Sequence, residues 1–354
     1  MPGVDDNSRA RPTMREVARV AGVSPMTVSY AYSQPARVSA EAAARVLAAA
    51  RQLGYPGPHP AARSLRRGRV GTLGVVLGER LSYAFDDPQA ARFLAGVSDV
   101  CAAEGIGLTL VPITGAPTDA RRVTQVAVDG FVVWTTSDDD PILDAVADTG
   151  LPAVIHAGPQ TRGLPVIGID DRAAAAAIGE VAFASARRPV VLGFPLDRGR
   201  ARRLLTGDED PPIRFPVTRH RWDGFRDTWT GAGHRAVHLR FAVCPVNHIT
   251  EGETFARELL QGTEPPDAIA AMSDELALGA LRAATDLGLR IPDELAVTGW
   301  DDSDTAAPAG LTTLAQSLRE QGAHCARVAL GLSTATSTGH TWQVVIRTTT
   351  RPAR

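Results

Sequence analysis

From residue 70 onward, short apolar runs alternate with amphipathic stretches. VGTLGVVLGE reads as a buried strand. ARFLAGVSDVCAAEG, apolar at 93, 94, 97, 100 and 101, reads as a helix with one buried face. The alternation continues through GLTLVP (strand), TDARRVTQVAVD (helix), GFVVWTT (strand), PILDAVADTG (helix), LPAVIHAG and VIGIDD (strands), RAAAAAIGEVAFASA (helix) and PVVLGF (strand). RWDGFRDTWTGAG (helix), AVHLRFAV (strand), TEGETFARELLQG (helix), AIAAMSD (strand), ELALGALRAATDLG (helix) and ELAVTGWDD (strand) complete the series. Such alternation predicts parallel sheets with helices on both faces.

The beginning of the chain has a different rhythm. Residues 1–12 are polar and read as disordered. From Thr13 to about Gly54 the pattern is helical. Thr13-Met14-Arg15-Glu16 is a capping box for a first helix, whose apolar face is Val17, Ala18, Val20 and Ala21. Gly22 permits the left-handed residue that ends it. Ser24 caps a second helix with Pro25 at its first position. Ser39 starts a third, whose Val46, Leu47, Ala50 and Leu53 close a three-helix core. YPGPHP is a linker, and PAARSLRRGR a short helix. The divisions expected are 1–12 disordered, 13–58 helix-turn-helix head, 59–69 hinge helix and 70–354 core.

Charge sharpens that division. Every one of the 37 basic residues is Arg. Residues 1–69 hold eleven Arg against four acids, a net of +7, and the remainder hold 26 Arg against 35 acids, a net of −9. A basic head on an acidic body suits contact with phosphate. Cys101, Cys244 and Cys325 have neither metal nor disulfide spacing. No apolar segment suits a signal peptide or a membrane span, so a cytoplasmic location is expected.

R-E-V-A-R-V-A-G-V-S-x-x-T-V-S, then V-S, L-G-Y and A-A-R-S-L-R-R-G-R, resembles the DNA-binding head of the LacI/GalR family of transcriptional regulators. VDGFVVW, PDAIAAMSDELALGALRA, GLRIPDELAVTGWDD, LTTLAQ and VVIRTTT are similar to that family's effector-binding core and stand in the same order. The resemblance implies a two-lobed core like a periplasmic binding protein. Its first lobe spans about 70–169 and 301–322, and its second about 170–300 and 323–354. It also implies that Pro25, Met26 and Tyr30 face base edges in the major groove. The commonest family pattern has Arg where Tyr30 stands. Met26 offers only apolar contact, and Tyr30 one hydroxyl or packing against a thymine methyl. Thr13, Ser24, Thr27, Ser29 and Arg37 are expected on phosphate. Leu65 matches the leucine that the family wedges into the minor groove, with Arg63 beside it for phosphate.

By family position, effector contacts fall on Tyr83, Phe85 and Asp86, on Arg219 and Arg221, on Asn247, on Ser273 and Asp274, and on Asp301. Ser273 stands where the family often has Asn. Ala157, beside His156, stands where it often has Asp, and His156 reads as a core histidine. The function implied is a sequence-specific DNA-binding regulator, usually a repressor. It would act as a homodimer on a pseudo-palindromic operator, controlled by a sugar-like or nucleoside/purine-like effector between the lobes. The alternative is a solute-binding protein of a transport system, which shares the core but has no use for residues 13–69. An enzyme is not expected: phosphate-loop, nucleophile-elbow and zinc-protease motifs are missing. Asp138-Asp139-Asp140, before Pro141, reads as a helix-capping loop rather than a metal site. No cofactor, metal or membrane partner is expected.

Overall fold

The structure is a computed structural model. It describes residues 12–57, 69–78, 83–116, 118–161, 163–334 and 339–351, without the side chains of 83 and 84. The hinge segment with Arg63 and Leu65 and the expected disordered N-terminus up to residue 11 lie outside these residues. The chain forms two compact units, Met1–Val70 and Gly71–Arg354.

In the first unit, α1 (Met14–Ala21), α2 (Pro25–Ser33) and α3 (Ala40–Leu53) enclose a small core. Val17, Ala18 and Ala21 meet Val28 and then Val46, Ala49 and Ala50. Val20 and Leu47, expected in that core, are instead 37% and 42% exposed. Each lies about 100° around its helix from the centre of the buried face, one step too far at 3.6 residues per turn. Gly22 ends α1 at φ 65°, a conformation that suits a residue without Cβ.

The second unit holds two five-stranded sheets. The first has the order β2-β1-β3-β4-β5, with β1 Thr72–Leu77, β2 Gly107–Pro112, β3 Gly130–Trp134, β4 Ala153–His156 and β5 Val166–Ile167, all parallel. The second has the order β10-β9-β6-β8-β7, with β6 Pro189–Gly193, β7 Arg203–Thr206, β8 Arg240–Val243, β9 Ala268–Ala271 and β10 Ala296–Thr298. Here the expectation of purely parallel sheets needs correction, because edge strand β7 runs antiparallel to β8. It is a four-residue strand flanked by charge, too short to show a period of two. β11 (Thr313–Gln316) and β12 (Trp342–Val345) form a small antiparallel ribbon.

Helices α4 (Pro88–Ala103), α5 (Asp119–Gln125) and α6 (Pro141–Asp148) flank the first sheet. Helices α7 (Asp171–Phe183) and α8 (Pro216–Gly231) cover one face of the second sheet, and α9 (Ile249–Leu260) and α10 (Asp274–Asp286) the other. Helix α11 (Leu318–Ala329) packs on α4, burying Cys325, Ala326 and Ala329 with Phe93 and Val97. Residues 323–329 therefore belong with the first lobe, not with the second as the sequence reading placed them. The α11 helix has a single buried stripe, and splitting it at 322 would leave half of that stripe uncovered.

The α4–α11 contact depends on two glycines. A methyl group on Gly96 would meet the carbonyl of Arg319, and one on Gly322 the carbonyl of Phe93. Backbone cannot yield as a flexible side chain does. Gly96→Ala is expected to cost about 1–3 kcal/mol, the usual range for overpacking. Urea unfolding of the variant would measure it, and a loss within error would show that the helices separate freely.

Candidate functional site

Two groups of residues carry chemistry, one in each unit. In the head, Thr13 is the N-cap of α1: Glu16 N–H donates to Thr13 Oγ1 at 3.3 Å, and Thr13 N–H donates to Glu16 Oε2 at 2.7 Å. These bonds to the charged form hold the Glu16 carboxyl below its ordinary range. Ser24 caps α2, accepting from Thr27 N–H at 3.0 Å, with its hydroxyl 2.9 Å from that of Thr27. Ser24 and Pro25 are exposed at the start of α2, and Met26 is 61% exposed. A methionine that open on a small domain is not core. Thr27, Ser29 and Tyr30 are half-buried. The Arg37 guanidinium lies 5.6 Å from the Tyr30 ring centroid. The uncharged second helix thus has an arginine over the face of its Tyr30 at cation–π distance.

In the second unit a cavity of about 120 Å³ opens where the strands of both sheets end. Open α/β sheets place ligand sites at carboxyl strand ends, because the loops there can vary without disturbing the sheet. The first sheet contributes Trp134 and Thr135 after β3, and His156 and Ala157 at the end of β4. Asp87 and Gln89 come from the start of α4. The second lobe contributes Phe194, Arg200, Phe215, Thr218, Arg221 and Asn247. Asp301, Gln316 and Gln321 complete the wall.

Arg221 is buried and held at two of its nitrogens. Its Nε donates to Asp171 Oδ1 at 2.7 Å and its Nη1 to the Met272 carbonyl at 2.6 Å. Its plane stacks 3.9 Å from the Trp300 ring centroid. Arg219 does not share this site. The α8 helix begins at Pro216, five residues before the start the sequence suggested, so both arginines are helical. Two residues along a helix is a turn of roughly 200°, so Arg221 faces the cavity and Arg219 faces away. Arg219 instead pairs with Asp138 at 2.6 Å, across to the first lobe. The two aspartates that follow make similar pairs: Arg214 reaches Asp139 at 3.9 Å, and Arg198 pairs with the buried Asp140. Asp140 also caps α6, accepting from Ile142 N–H at 3.0 Å, so the capping role read from the sequence coexists with a bridge between lobes.

Asn247 joins the lobes as well: its Nδ2 donates to Asp87 Oδ2 at 2.7 Å, and its Oδ1 accepts from Ser273 Oγ at 2.5 Å. Ser273 is buried behind it and caps α10. Asp274 does not line the cavity. It is buried, accepts from Ser303 N–H at 2.6 Å and Thr313 Oγ1 at 2.7 Å, and fastens the 301–303 loop to β11. Burial pushes its carboxyl up. Asp301 does line the cavity, in a left-handed conformation at φ 106°, and accepts from Gln316 Nε2 at 2.7 Å. Burial raises its carboxyl well above the usual range, and Arg221 opposes that rise.

The loop after β1 is the main correction. Phe85 is 69% exposed and Asp86 is exposed; neither lines the cavity. The side chain of Tyr83 lies outside the described residues. The carboxylate at the cavity is Asp87, one residue on, held inward because it caps α4 through Gln89 N–H at 2.7 Å and Ala90 N–H at 3.0 Å. An aspartate directly before a helix-starting proline is the signal that identifies it, the same signal that Ser24-Pro25 gives in the head. Among the described residues no cluster of His, Cys, Asp and Glu could hold a metal, and no helix is long and apolar enough to cross a membrane.

Residues 13–57 match the description "Bacterial regulatory proteins, lacI family", and residues 197–351 match "Periplasmic binding protein-like domain". The chain is 36% identical over 319 residues to HTH-type transcriptional regulator Rv3575c of Mycobacterium tuberculosis, covering 89% of each chain. This protein belongs to the LacI family. The LacI-family chain is also 34% identical to HTH-type transcriptional regulator IpsA of Corynebacterium glutamicum, over 88% of each chain. A crystal structure of a LacI-family regulator from Corynebacterium glutamicum shares its fold with a TM-score of 0.73 at 29% identity, covering 97% of this chain and 100% of that one. As a LacI-family member it is a DNA-binding transcriptional regulator with an effector-binding core.

Proposed function

We propose that this regulator is a homodimeric repressor released from a pseudo-palindromic operator by a neutral, hydroxyl-bearing ring of monosaccharide size. The polarity of the cavity carries this reading. Among the described residues its carboxyls are Asp87, Asp171 and Asp301 and its guanidiniums Arg200 and Arg221; Arg221 is already matched by Asp171, and burial favours the neutral form of Asp301. That leaves no surplus positive charge among them to hold an anionic effector. Carboxylates and amides accept and donate hydrogen bonds to hydroxyls, and Trp134 and Phe194 offer apolar faces for a ring. A cavity near 120 Å³ suits one ring; an apolar cavity of roughly 150 Å³ takes a benzene.

In the head, Pro25, Met26 and Tyr30 would read base edges, and Thr13, Ser24, Thr27, Ser29 and Arg37 would hold phosphate. The reading extends to Leu65 and Arg63 in the minor groove. The capped head is what a solute-binding protein would not need. Arg37→Ala is expected to weaken binding to all duplex sequences and to reduce the slope of log K against log salt by about 1. Fluorescence anisotropy across a salt series measures that slope, and an unchanged slope would take Arg37 off the phosphate.

The central test is a thermal-shift series with D-ribose, D-glucose, D-cellobiose, glucose 6-phosphate and hypoxanthine. Cellobiose is included because it occupies the transcriptional regulator CelR in its complex. A neutral monosaccharide should stabilise the protein, by about 2.7 kcal/mol at 100 times its dissociation constant. Asp301→Ala should lose that shift while keeping ligand-free operator affinity. Stabilisation by the phosphate or the purine alone would overturn the ligand class.

A further inference from the structure

A hydrogen-bond chain runs along the cavity wall through four side chains. His156 Nε2 lies 2.8 Å from Gln321 Oε1. Gln321 Nε2 donates to Gln316 Oε1 at 3.1 Å, and Gln316 Nε2 donates to Asp301 Oδ1 at 2.7 Å. The amide orientations give this chain its direction. Gln316 turns its nitrogen toward Asp301 Oδ1, an oxygen that can accept in either protonation state of that carboxyl, and its oxygen toward Gln321. Gln321 must then donate to Gln316 and present its own oxygen to His156. An amide oxygen cannot donate, so the proton on the imidazole sits on Nε2.

That leaves Nδ1 as a bare acceptor. It is buried, and it has no hydrogen-bond partner among the described residues. The ring itself is clamped: it stacks on Trp134 at 4.9 Å and 23°, and Phe93 closes on it at 4.7 Å. His156 pairs with Trp134 across neighbouring parallel strands, and both line the cavity from the carboxyl end of the first sheet. A buried acceptor without a donor costs stability and calls for a group to complete it. The core-histidine reading from the sequence accounts for one ring nitrogen and not for the other.

We propose that His156 is a specificity-determining residue of the effector site, whose Nδ1 accepts a hydrogen bond from a ligand hydroxyl or N–H. Gln321 is a positioning residue that acts through His156 by holding its tautomer. The proposal rests on the neutral-ring reading of the cavity and adds a requirement to it: the ligand carries a donor at the His156 wall. An ether or a methylated oxygen there leaves Nδ1 empty and is rejected. The chain also ends on Asp301, so one ligand contacting both His156 and Asp301 would close a ring of hydrogen bonds through Gln316 and Gln321.

The test uses the full-length protein labelled with 15N at histidine. Without ligand at neutral pH, His156 should show a protonated Nε2 and an unprotonated Nδ1; the opposite tautomer overturns the proposal. Gln321→Leu should convert this to a mixture of tautomers without changing fold. On titration with D-ribose or D-glucose, whichever stabilises the protein, the His156 Nδ1 resonance should move to saturation. His156→Phe should weaken that sugar by ~10-fold, one hydrogen bond's worth. The monodeoxy analogue lacking the donating hydroxyl should bind wild type and His156→Phe alike. A sugar that stabilises the protein and leaves Nδ1 unmoved overturns this proposal while the neutral-ring reading stands. If no neutral sugar stabilises the protein, that reading falls and takes this contact with it.

Discussion

Replacing Arg221 with alanine is expected to lower the stability of the core by about 3–5 kcal/mol, the range for removing one partner of a buried ion pair. The reason lies in what remains. Arg221 and Asp171 have 7% and 6% of their side-chain surface exposed, so the carboxylate would lose its counter-charge with little water to replace it. The Met272 carbonyl would lose its donor, and the Trp300 ring its stacking plane. Arg221→Lys should recover only part of the loss, because an ammonium cannot donate in two fixed directions and stack at once. Adding Asp171→Asn to Arg221→Ala should restore stability relative to the single variant, since the stranded charge is then gone. Urea unfolding followed by tryptophan fluorescence would decide. A loss below about 1 kcal/mol would mean that Asp171 finds water or another cation.

Acid should destabilise this protein through His156. Burial pushes that imidazole down to about 4 from the usual value near 6.5, with Gln321 opposing and His340 and Arg221 adding to the fall. Between those two values the unfolded chain binds a proton that the folded one refuses. Stability is therefore complete above pH 6.5 and falls as pH drops toward 4, by about 3 kcal/mol over the window. Asp301 and Asp274 have the opposite sign: burial raises both carboxyls, so the folded state holds protons that the unfolded state gives up, and stability from them is lost as pH rises. The wild-type curve sums these terms. The difference between wild type and His156→Phe isolates the imidazole and should shift in favour of the variant by about 3 kcal/mol from pH 7 to pH 4. Parallel curves would show that His156 gains its proton without cost.

What the sequence revealed follows from what has a period or a cap. The α/β order came from apolar runs, and the three helices of the head from Thr13, Ser24, Ser39 and Gly22, each a local signal with a local cause. Arg221 and Asn247 were legible at the cavity because a resemblance located them. Arg219 was not separable from Arg221 without knowing where α8 begins, and that start hides in the polar stretch VTRH after Pro216. Asp87 was missed for Asp86 because aromatic and acidic residues crowd that loop, and only the cap decides which carboxylate turns inward. Gln316 and Gln321 gave no signal: a glutamine has no spacing rule, and their partners lie on other elements.

The three consecutive aspartates at 138–140 have a mechanical consequence. Arg219–Asp138 and Arg214–Asp139 are solvent-accessible pairs that dissolved ions weaken, whereas the Asp140 carboxylate facing Arg198 is wholly enclosed and shielded from them. Added electrolyte should therefore loosen the outer two, while the Arg198–Asp140 pair and the Asn247–Asp87 hydrogen bond still join the lobes. The stiffness of the join between the lobes should then vary with the salt concentration.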